Sequence, residues 1–510
     1  MSDALLVLPI LIPALTGIAA LLVVRRRWLQ RALGLAGSLA RLVVAHLLVE
    51  AVRREGILVS QVGGWPAPFG VSLVADTLSA VMVVLTALVG LAVTVSSLGS
   101  PEIKAEAAPY DPPYQILMMG VSGTFLTGDM FNLYVWFEVM LIASFVLLAL
   151  GPGRARIEGA VKYVVLNLLA SVLLLLAVGL LYGLVGTLNM ADAAWKLARV
   201  DPPGRITPCA TLFLVAFGIK AAVFPLFFWL PASYHTPPSA TSALFGGLLT
   251  KVGVYALLRV FTLLFVHDVG FTHGLILGIS ALTMISGVLG TMIQDDFRRI
   301  LSFHIISQIG YLGMGLGLFS RLGLGGAIYF LIHIILVKTS LFLISGISRR
   351  IQGTERLARL GGLYRTHPGI AALFLLCALS LGGIPPLSGF FAKLALVRAG
   401  LLAERYGIVA AALLVSLLTL FSMLKIWNEA FWKEPPGPTP ERPGEAPGSA
   451  PATLLAPAAA LTALTVFTAL GAGPLLAVSL HAADELLDPA RYVAAVLARA
   501  EPGPGPMGGP

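Results

Sequence analysis

The sequence predicts an all-α polytopic membrane protein of about 14 transmembrane helices, and three observations carry that prediction. The chain is 57% hydrophobic and only 12% charged, roughly half the charged share of an ordinary soluble domain. Apolar stretches of about 20 residues, the length that crosses a hydrocarbon core, recur from one end to the other. The basic residues behind the net charge of +9 are dealt out in short clusters between those stretches. That is the positive-inside pattern of a chain partnered by a lipid bilayer, and it gathers no patch for nucleic acid.

The first stretch, 4–24, begins Met1-Ser2-Asp3 without a basic n-region and ends against Arg25, Arg26 and Arg27. It is therefore expected to stay as a helix and not to be cleaved as a signal peptide. Stretches 32–51 and 76–98 complete an N-terminal unit, 1–112. Between them, residues 55–75 alternate and carry turn formers, which predicts an extended or hairpin segment outside the bilayer.

Five stretches follow in 113–265 (113–128, 131–150, 160–186, 208–230 and 239–265). Another five occupy 273–430 (273–293, 300–319, 322–346, 368–396 and 407–428). Within the first group, residues 188–200 with Trp195, Lys196 and Arg199 predict a short helix lying in the membrane interface. Residues 431–451 are rich in Pro, Gly and Glu and are expected to form a flexible loop; 452–480 is a last helix, and 501–510 is a Gly/Pro tail expected to be disordered. Placing the N-terminus outside puts the larger share of Lys and Arg in the inward loops, including Arg154, Arg298 and Arg349, and leaves both termini outside.

Two of the stretches are interrupted by proline. One reads Lys220-Ala-Ala-Val-Phe-Pro225, the other Gly383-Ile-Pro385-Pro386 followed by Lys393. Proline inside a helix removes a backbone hydrogen bond and clashes with the preceding turn, so both are expected to be broken helices, the seventh and the twelfth. Five spans separate them, so spans 4–8 and 9–13 read as two repeats of the kind transporters use. Freed backbone is tolerated at such depth only against protein or water, so the breaks also predict local hydration.

Charge inside these stretches marks the functional candidates. Lys220, Lys251, Lys338 and Lys393 sit within apolar spans, with Glu138 as an acidic companion. An ammonium at the bilayer centre costs about 2.5 kcal/mol or more, so repeating it points to use, as stations on a proton or cation path. Tyr134 and Glu138 share a helix face at i, i+4. Glu138 beside Lys220 would ionise and hold the lysine's proton; the alternative is a structural ion pair fixing two helices. Lys251 follows Gly247 and precedes Tyr255 by one turn. His304, Gln308 and Tyr311 form one polar stripe, and Tyr329, His333 and Ser340 another, with Lys338 close by. Two histidines on such stripes read as a secondary relay as readily as packing residues. Lys425 and Glu429 read as an interfacial ion pair outside the path.

Cys209 and Cys377 lie far apart in apolar spans, with no disulfide framework or zinc spacing. There is no Walker loop, HExxH, paired-cysteine cluster or dinucleotide fingerprint. No cofactor and no metal are expected, and the energy for transport has to come from an ion gradient or a partner.

The runs Gly128-Asp-Met-Phe-Asn-Leu-Tyr-Val-Trp-Phe-Glu138, Leu230-Pro-Ala-Ser-Tyr-His235-Thr-Pro-Pro-Ser239, Leu249-Thr-Lys251-Val-Gly253 and Leu381-Gly-Gly-Ile-Pro-Pro-Leu-Ser-Gly-Phe-Phe-Ala-Lys393 resemble the antiporter-like subunits shared by respiratory complex I, membrane-bound hydrogenases and the Mrp cation/proton antiporters. The likeness covers about 4–480 and is nearest to the D-type Mrp subunits, through the Asp129–Glu138 run and Gly186-Thr-Leu-Asn-Met-Ala-Asp192.

The resemblance implies a 14-helix core with two inverted five-helix repeats and broken helices 7 and 12. It assigns the proton path to Glu138, Lys220, Lys251 and Lys393, with the Glu138–Lys220 pair as gate. It also implies partner membrane subunits in a bacterial or archaeal plasma membrane, and exchange of protons for sodium or another monovalent cation. Such a chain is a transporter subunit rather than an enzyme. The alternative is the same module pumping protons in an NADH:quinone oxidoreductase or hydrogenase complex, where it would count as a translocase subunit. A non-conducting scaffold or an intramembrane enzyme is the third reading.

Overall fold

In hydrocarbon each backbone N–H and C=O has to be satisfied within its own segment, so long apolar runs fold as helices. The computed structural model describes residues 2–105, 109–435 and 451–498. In chain order it contains α1 (Ser2–Leu22), α2 (Arg27–Glu55), strands β1 (Leu58–Gln61) and β2 (Ser72–Ala75), α3 (Thr77–Gly99), α4 (Pro101–Ala105), α5 (Asp111–Leu126), α6 (Met130–Ala149), α7 (Arg154–Val185) and α8 (Met190–Leu197). There follow α9 (Ile206–Ala221), α10 (Trp229–Ser233), α11 (Ser239–Leu244), a π-helical turn (Phe245–Leu249), α12 (Thr250–Leu263), α13 (Val269–Ile293), α14 (Phe297–Gly317) and α15 (Arg321–Gln352). The remainder is α16 (Leu363–Thr366), α17 (Pro368–Gly382), α18 (Ser388–Leu402), α19 (Tyr406–Ile426) with a π-helical extension to Trp432, α20 (Ala452–Leu470), α21 (Ala472–Leu487) and α22 (Pro489–Ala498).

Several starts are set by side-chain caps. Asp76 accepts from the Ser79 amide at 2.9 Å, Asp129 from Asn132 at 2.7 Å, and Asp296 from Arg299 at 3.0 Å. The 55–75 segment is an antiparallel hairpin with Leu58 opposite Ala75, and α8 lies within 188–200.

Twelve described helices are long and apolar enough to cross a membrane. The two further spans expected from the sequence are α5, of 16 residues, and the α17–α18 pair, of 15 residues each. Burial sorts the helices into layers. The apolar windows of Ser239–Leu263 and α15 are 100% buried, whereas that of α1 is 28% buried. The helices that carry Lys251 and Lys338 therefore occupy the interior, and α1 lines the periphery.

Both expected breaks are present. α9 stops where Ala222 turns left-handed (φ 62°, ψ 50°), and the chain passes Pro225 before α10. α17 stops at Gly383 (φ 83°), where glycine takes the left-handed turn without penalty, and resumes beyond Pro385 and Pro386 as α18. Freed backbone at the first break is satisfied from outside it: the Phe224 amide donates to Thr283 Oγ1 on α13 at 3.0 Å, and Trp229 Nε1 donates to the Ile219 carbonyl at 3.0 Å.

The structure differs from expectation in three places. The stretch 452–480 is two helices, divided at Gly471 between α20 and α21. Residues 431 and 432, assigned to the loop, belong to the π-helical end of α19. Lys425 and Glu429 do not pair with each other; the Lys425 ammonium is drawn to the Met292 and Gln294 carbonyls and pairs with Asp295 beside them at 2.8 Å, and Glu429 pairs with Lys433 one turn further on. Most of the Pro-rich loop and the tail at 501–510 lie outside the described residues.

Candidate functional site

Three of the candidate lysines, Lys220, Lys251 and Lys393, stand beside a local departure from regular helix, while Lys338 lies within the unbroken α15. Lys220 is the penultimate residue of α9, 6% exposed, and its ammonium donates to Ser171 Oγ on α7 at 3.1 Å. It lies 4.8 Å from the centre of the Phe137 ring, a distance suited to a cation–π contact. Beside it is a cavity of about 30 Å³ lined by Tyr163, Asn167, Trp229 and Tyr234, room for a water with polar partners.

Glu138 sits on α6, next to Phe137. Its charge acts on Lys220, yet no direct ion pair joins them among the described residues. One of its carboxylate oxygens, Oε1, is buried without a hydrogen-bond partner. The gate pair expected from the sequence is thus brought into one region but not into contact. The Phe137 ring lies against the ammonium instead, and Lys220 takes a hydroxyl from α7.

Lys251 follows the π-helical turn Phe245–Leu249 and donates to the Gly246 carbonyl at 2.5 Å. A π turn displaces the regular bonding ladder, which leaves a carbonyl for the ammonium. Gly247 brings this turn against α15, where an added methyl would strike Thr339. Lys338, on α15 and fully buried, donates to the Leu301 carbonyl of α14 at 3.2 Å and lies near enough to Lys251 for their charges to repel.

His304 bonds Ser422 of α19 at 2.7 Å through Nε2, and His333 bonds Ser388 of α18 at 2.9 Å through Nδ1. Both histidines feel the charges of Lys338 and Lys393. The second ring nitrogen of each is buried without a partner, as are both amide atoms of Gln308. Buried polar atoms in native proteins find partners in protein or ordered water, and these find none in the protein.

Lys393 closes the row at the second break. It donates to the carbonyls of Leu381 (2.8 Å) and Gly382 (3.4 Å) and to Ser416 Oγ (3.0 Å), against the end of α17, where the helix dipole favours a cation. Its ammonium is 5.0 Å from the Tyr311 ring.

The structure thus gathers Lys251, Lys338, His304, His333 and Lys393 into one electrostatically linked interior row. Lys220 joins it through the backbone: Gly253 of α12 packs on the Lys220–Ala221 peptide. Sequence reading missed the serines that hold the row (Ser171, Ser388, Ser416 and Ser422), since serine in an apolar span gives no signal by itself. It also missed a buried ion pair between Asp76 and Arg259, at 2.6 Å. The signal for Arg259 was present: it stands eight residues after Lys251 on the same helix face.

A chain with this row and these breaks has recognisable relatives. The family model described as "NADH:quinone oxidoreductase/Mrp antiporter, TM" matches residues 127–419. The chain is 48% identical over 493 residues to the D-type Na(+)/H(+) antiporter subunit of Alkalihalophilus pseudofirmus, covering 97% of this chain and 99% of that protein. It is 42% identical over 494 residues to the D-type Na(+)/H(+) antiporter subunit of Bacillus subtilis, covering 96% and 99%. A chain in the structure of the Mrp complex from a Dietzia species superimposes with a TM-score of 0.90 at 34% identity, covering 97% of this chain and 99% of that one. The matched family segment holds more than half of the chain, and the chain belongs to the NADH:quinone oxidoreductase/Mrp antiporter family of transmembrane subunits.

Proposed function

We propose that this chain is the proton-translocating subunit of a multisubunit Na+/H+ antiporter, and that Glu138, Lys220, Lys251 and Lys393 are its path, with Lys338, His304 and His333 as the relay between the two breaks. The observation that carries the reading is the interior row itself. Its lysines rest on hydroxyl and carbonyl oxygens, and its histidines and Gln308 keep unpartnered atoms where water has to bind.

An ammonium that gives up its proton to a neighbouring water leaves no buried anion behind. Repulsion between Lys251 and Lys338 then favours one proton at a time on adjacent stations, which drives a proton onward when the next arrives. Glu138 acts on Lys220 without touching it and sets how firmly that lysine holds its proton. The spans group as two inverted repeats, 113–265 and 273–430, each contributing one break. Both termini face outward, and other membrane subunits complete the assembly. A proton pump in a redox-driven complex would use the same row; the near full-length 48% identity to a D-type antiporter subunit supports the antiporter.

The test uses the whole complex in inverted vesicles with sodium, potassium and lithium. Lys220→Ala and Glu138→Ala are expected to abolish cation-driven proton movement while the complex assembles. Lys220→Arg is expected to fail as well, because guanidinium does not release its proton. Unaltered transport in these variants would overturn the path.

A further inference from the structure

The α12 helix carries a second charged site on the same stripe as Lys251. Tyr255 stands one turn beyond Lys251 and Arg259 one turn beyond Tyr255. Arg259 is 5% exposed and paired with Asp76, the cap of α3, at 2.6 Å. Its guanidinium also donates to Ser79 Oγ and to the Tyr255 hydroxyl, each at 3.3 Å, and lies 5.3 Å from the centre of the Tyr492 ring of α22.

Beyond Asp76 the site reaches water. The Thr77 amide donates to Glu485 at 2.9 Å; the Glu485 side chain is 3% exposed, and it stands 3.5 Å from His481, whose side chain is 58% exposed. The site lies directly after the β1–β2 hairpin, at the start of α3, and so on the hairpin side of Lys251.

This line ends in groups that do not pass protons. The Tyr255 hydroxyl gives its hydrogen to the Phe125 carbonyl at 2.8 Å, an acceptor that cannot hand it on, and with that hydrogen committed it receives from Ser79 Oγ at 2.9 Å and from Arg259. Arg259 is a permanent cation with no proton to release, fixed on three sides. Asp76 compensates that cation, and both of its carboxylate oxygens are occupied, one by Arg259 and one by the Ser79 amide, so the closed pair offers a passing proton no free acceptor.

We propose that the closed Asp76–Arg259 pair is a seal that keeps protons on the lysine row from leaking to the hairpin face of the membrane. The inference rests on the proton path proposed above. It adds that Lys251 has no outlet along its own helix, so a proton there has to move on towards Lys338 and Lys393.

The experiment measures passive proton permeability of proteoliposomes holding the whole complex, with choline as the sole cation and an entrapped pH-sensitive dye. Sodium-driven exchange is measured in the same vesicles. The double variant Asp76→Asn/Arg259→Gln removes both charges together and leaves no unpaired ion. Its proton leak is expected to rise about tenfold or more. A leak equal to that of the unaltered complex, in the assembled double variant, overturns the seal.

Tyr255→Phe keeps the charges and removes only the hydroxyl, so it decides the matter even where the double variant does not assemble. Leak and exchange are both expected to stay at the unaltered level. A several-fold loss of exchange in this variant would make Tyr255 part of a conducting outlet and overturn the proposal. Absence of sodium-driven exchange in the unaltered complex would instead count against the antiporter reading, while the leak comparison would still stand.

Discussion

Gly253 lies against the backbone of Lys220: a methyl group at position 253 would meet the Ala221 nitrogen at 2.7 Å and the Lys220 carbonyl carbon at 2.9 Å. The atoms it would strike are main chain, which cannot swing aside as a flexible side chain would. Two stations of the row are therefore held at a fixed separation by the missing side chain of a third residue.

Gly253→Ala is expected to push α12 from the end of α9 at a cost of about 1–3 kcal/mol. Cation-driven exchange should fall by at least tenfold while both lysines remain in place. Exchange assays, together with thermal melting of the purified complex, check this. Unchanged exchange would show that the spacing of Lys220 and Lys251 is immaterial.

Lys393 both holds a helix end and serves as a proposed station, and two substitutions separate these roles. Lys393→Arg keeps a cation against the Leu381 and Gly382 carbonyls, so stability should change by less than about 1 kcal/mol while exchange is lost. Ser416→Ala removes one acceptor near the ammonium and should leave exchange within a few-fold of the unaltered rate. Equal loss in both would place the function in the packing and not in the titratable group.

Gln308 carries two buried, unpartnered amide atoms. Replacing a buried polar group together with its water partner by an apolar group of similar shape is nearly neutral or stabilising, so Gln308→Leu should leave the melting temperature unchanged or higher. Exchange should nevertheless drop several-fold, because the water that the amide orders is lost. A variant equally stable and equally active would mean that no water file passes this point.

His235, in the loop after α10, accepts from Arg299 Nε at 3.3 Å and bonds the Pro231 carbonyl through Nδ1 at 2.8 Å. Burial, then the Arg299 guanidinium, lowers its pKa from 6.5 to about 4. The unfolded chain thus binds more protons than the folded one between about pH 4 and 6.5, so stability is full above that window and declines as pH falls through it. His235→Gln should flatten this acid limb in melting curves recorded from pH 7 to 4; an unaltered limb would assign the acid sensitivity elsewhere.

Hydropathy made the helices legible, and it did so because the bilayer leaves the backbone no other option. Lys220, Lys251, Lys338 and Lys393 were legible for a related reason, since a charge in an apolar run stands out against its neighbours. Pro225 and the Pro385–Pro386 pair announced both breaks. The π turn at Phe245–Leu249 announced nothing: it contains no proline, and its cause is the approach of Gly246 and Gly247 to α15. Arg259 by itself was legible on the Lys251 face, but its pairing with Asp76 was not, because the two partners are remote in sequence. Nor did the sequence reveal the Phe137 ring beside Lys220, since i, i+4 spacing describes one helix and not its neighbour.

The four lysines lean on Ser171, Gly246, Leu301 and Leu381, and on no carboxylate among the described residues. Oxygens of this kind are dipoles: they steady a charge without cancelling it. On the proposed path a proton held at Lys251 would therefore be felt at Lys338, and occupancy at one would discourage occupancy beside it. Alternation of full and vacant places would then follow from the choice of ligand atoms, before any helix moves.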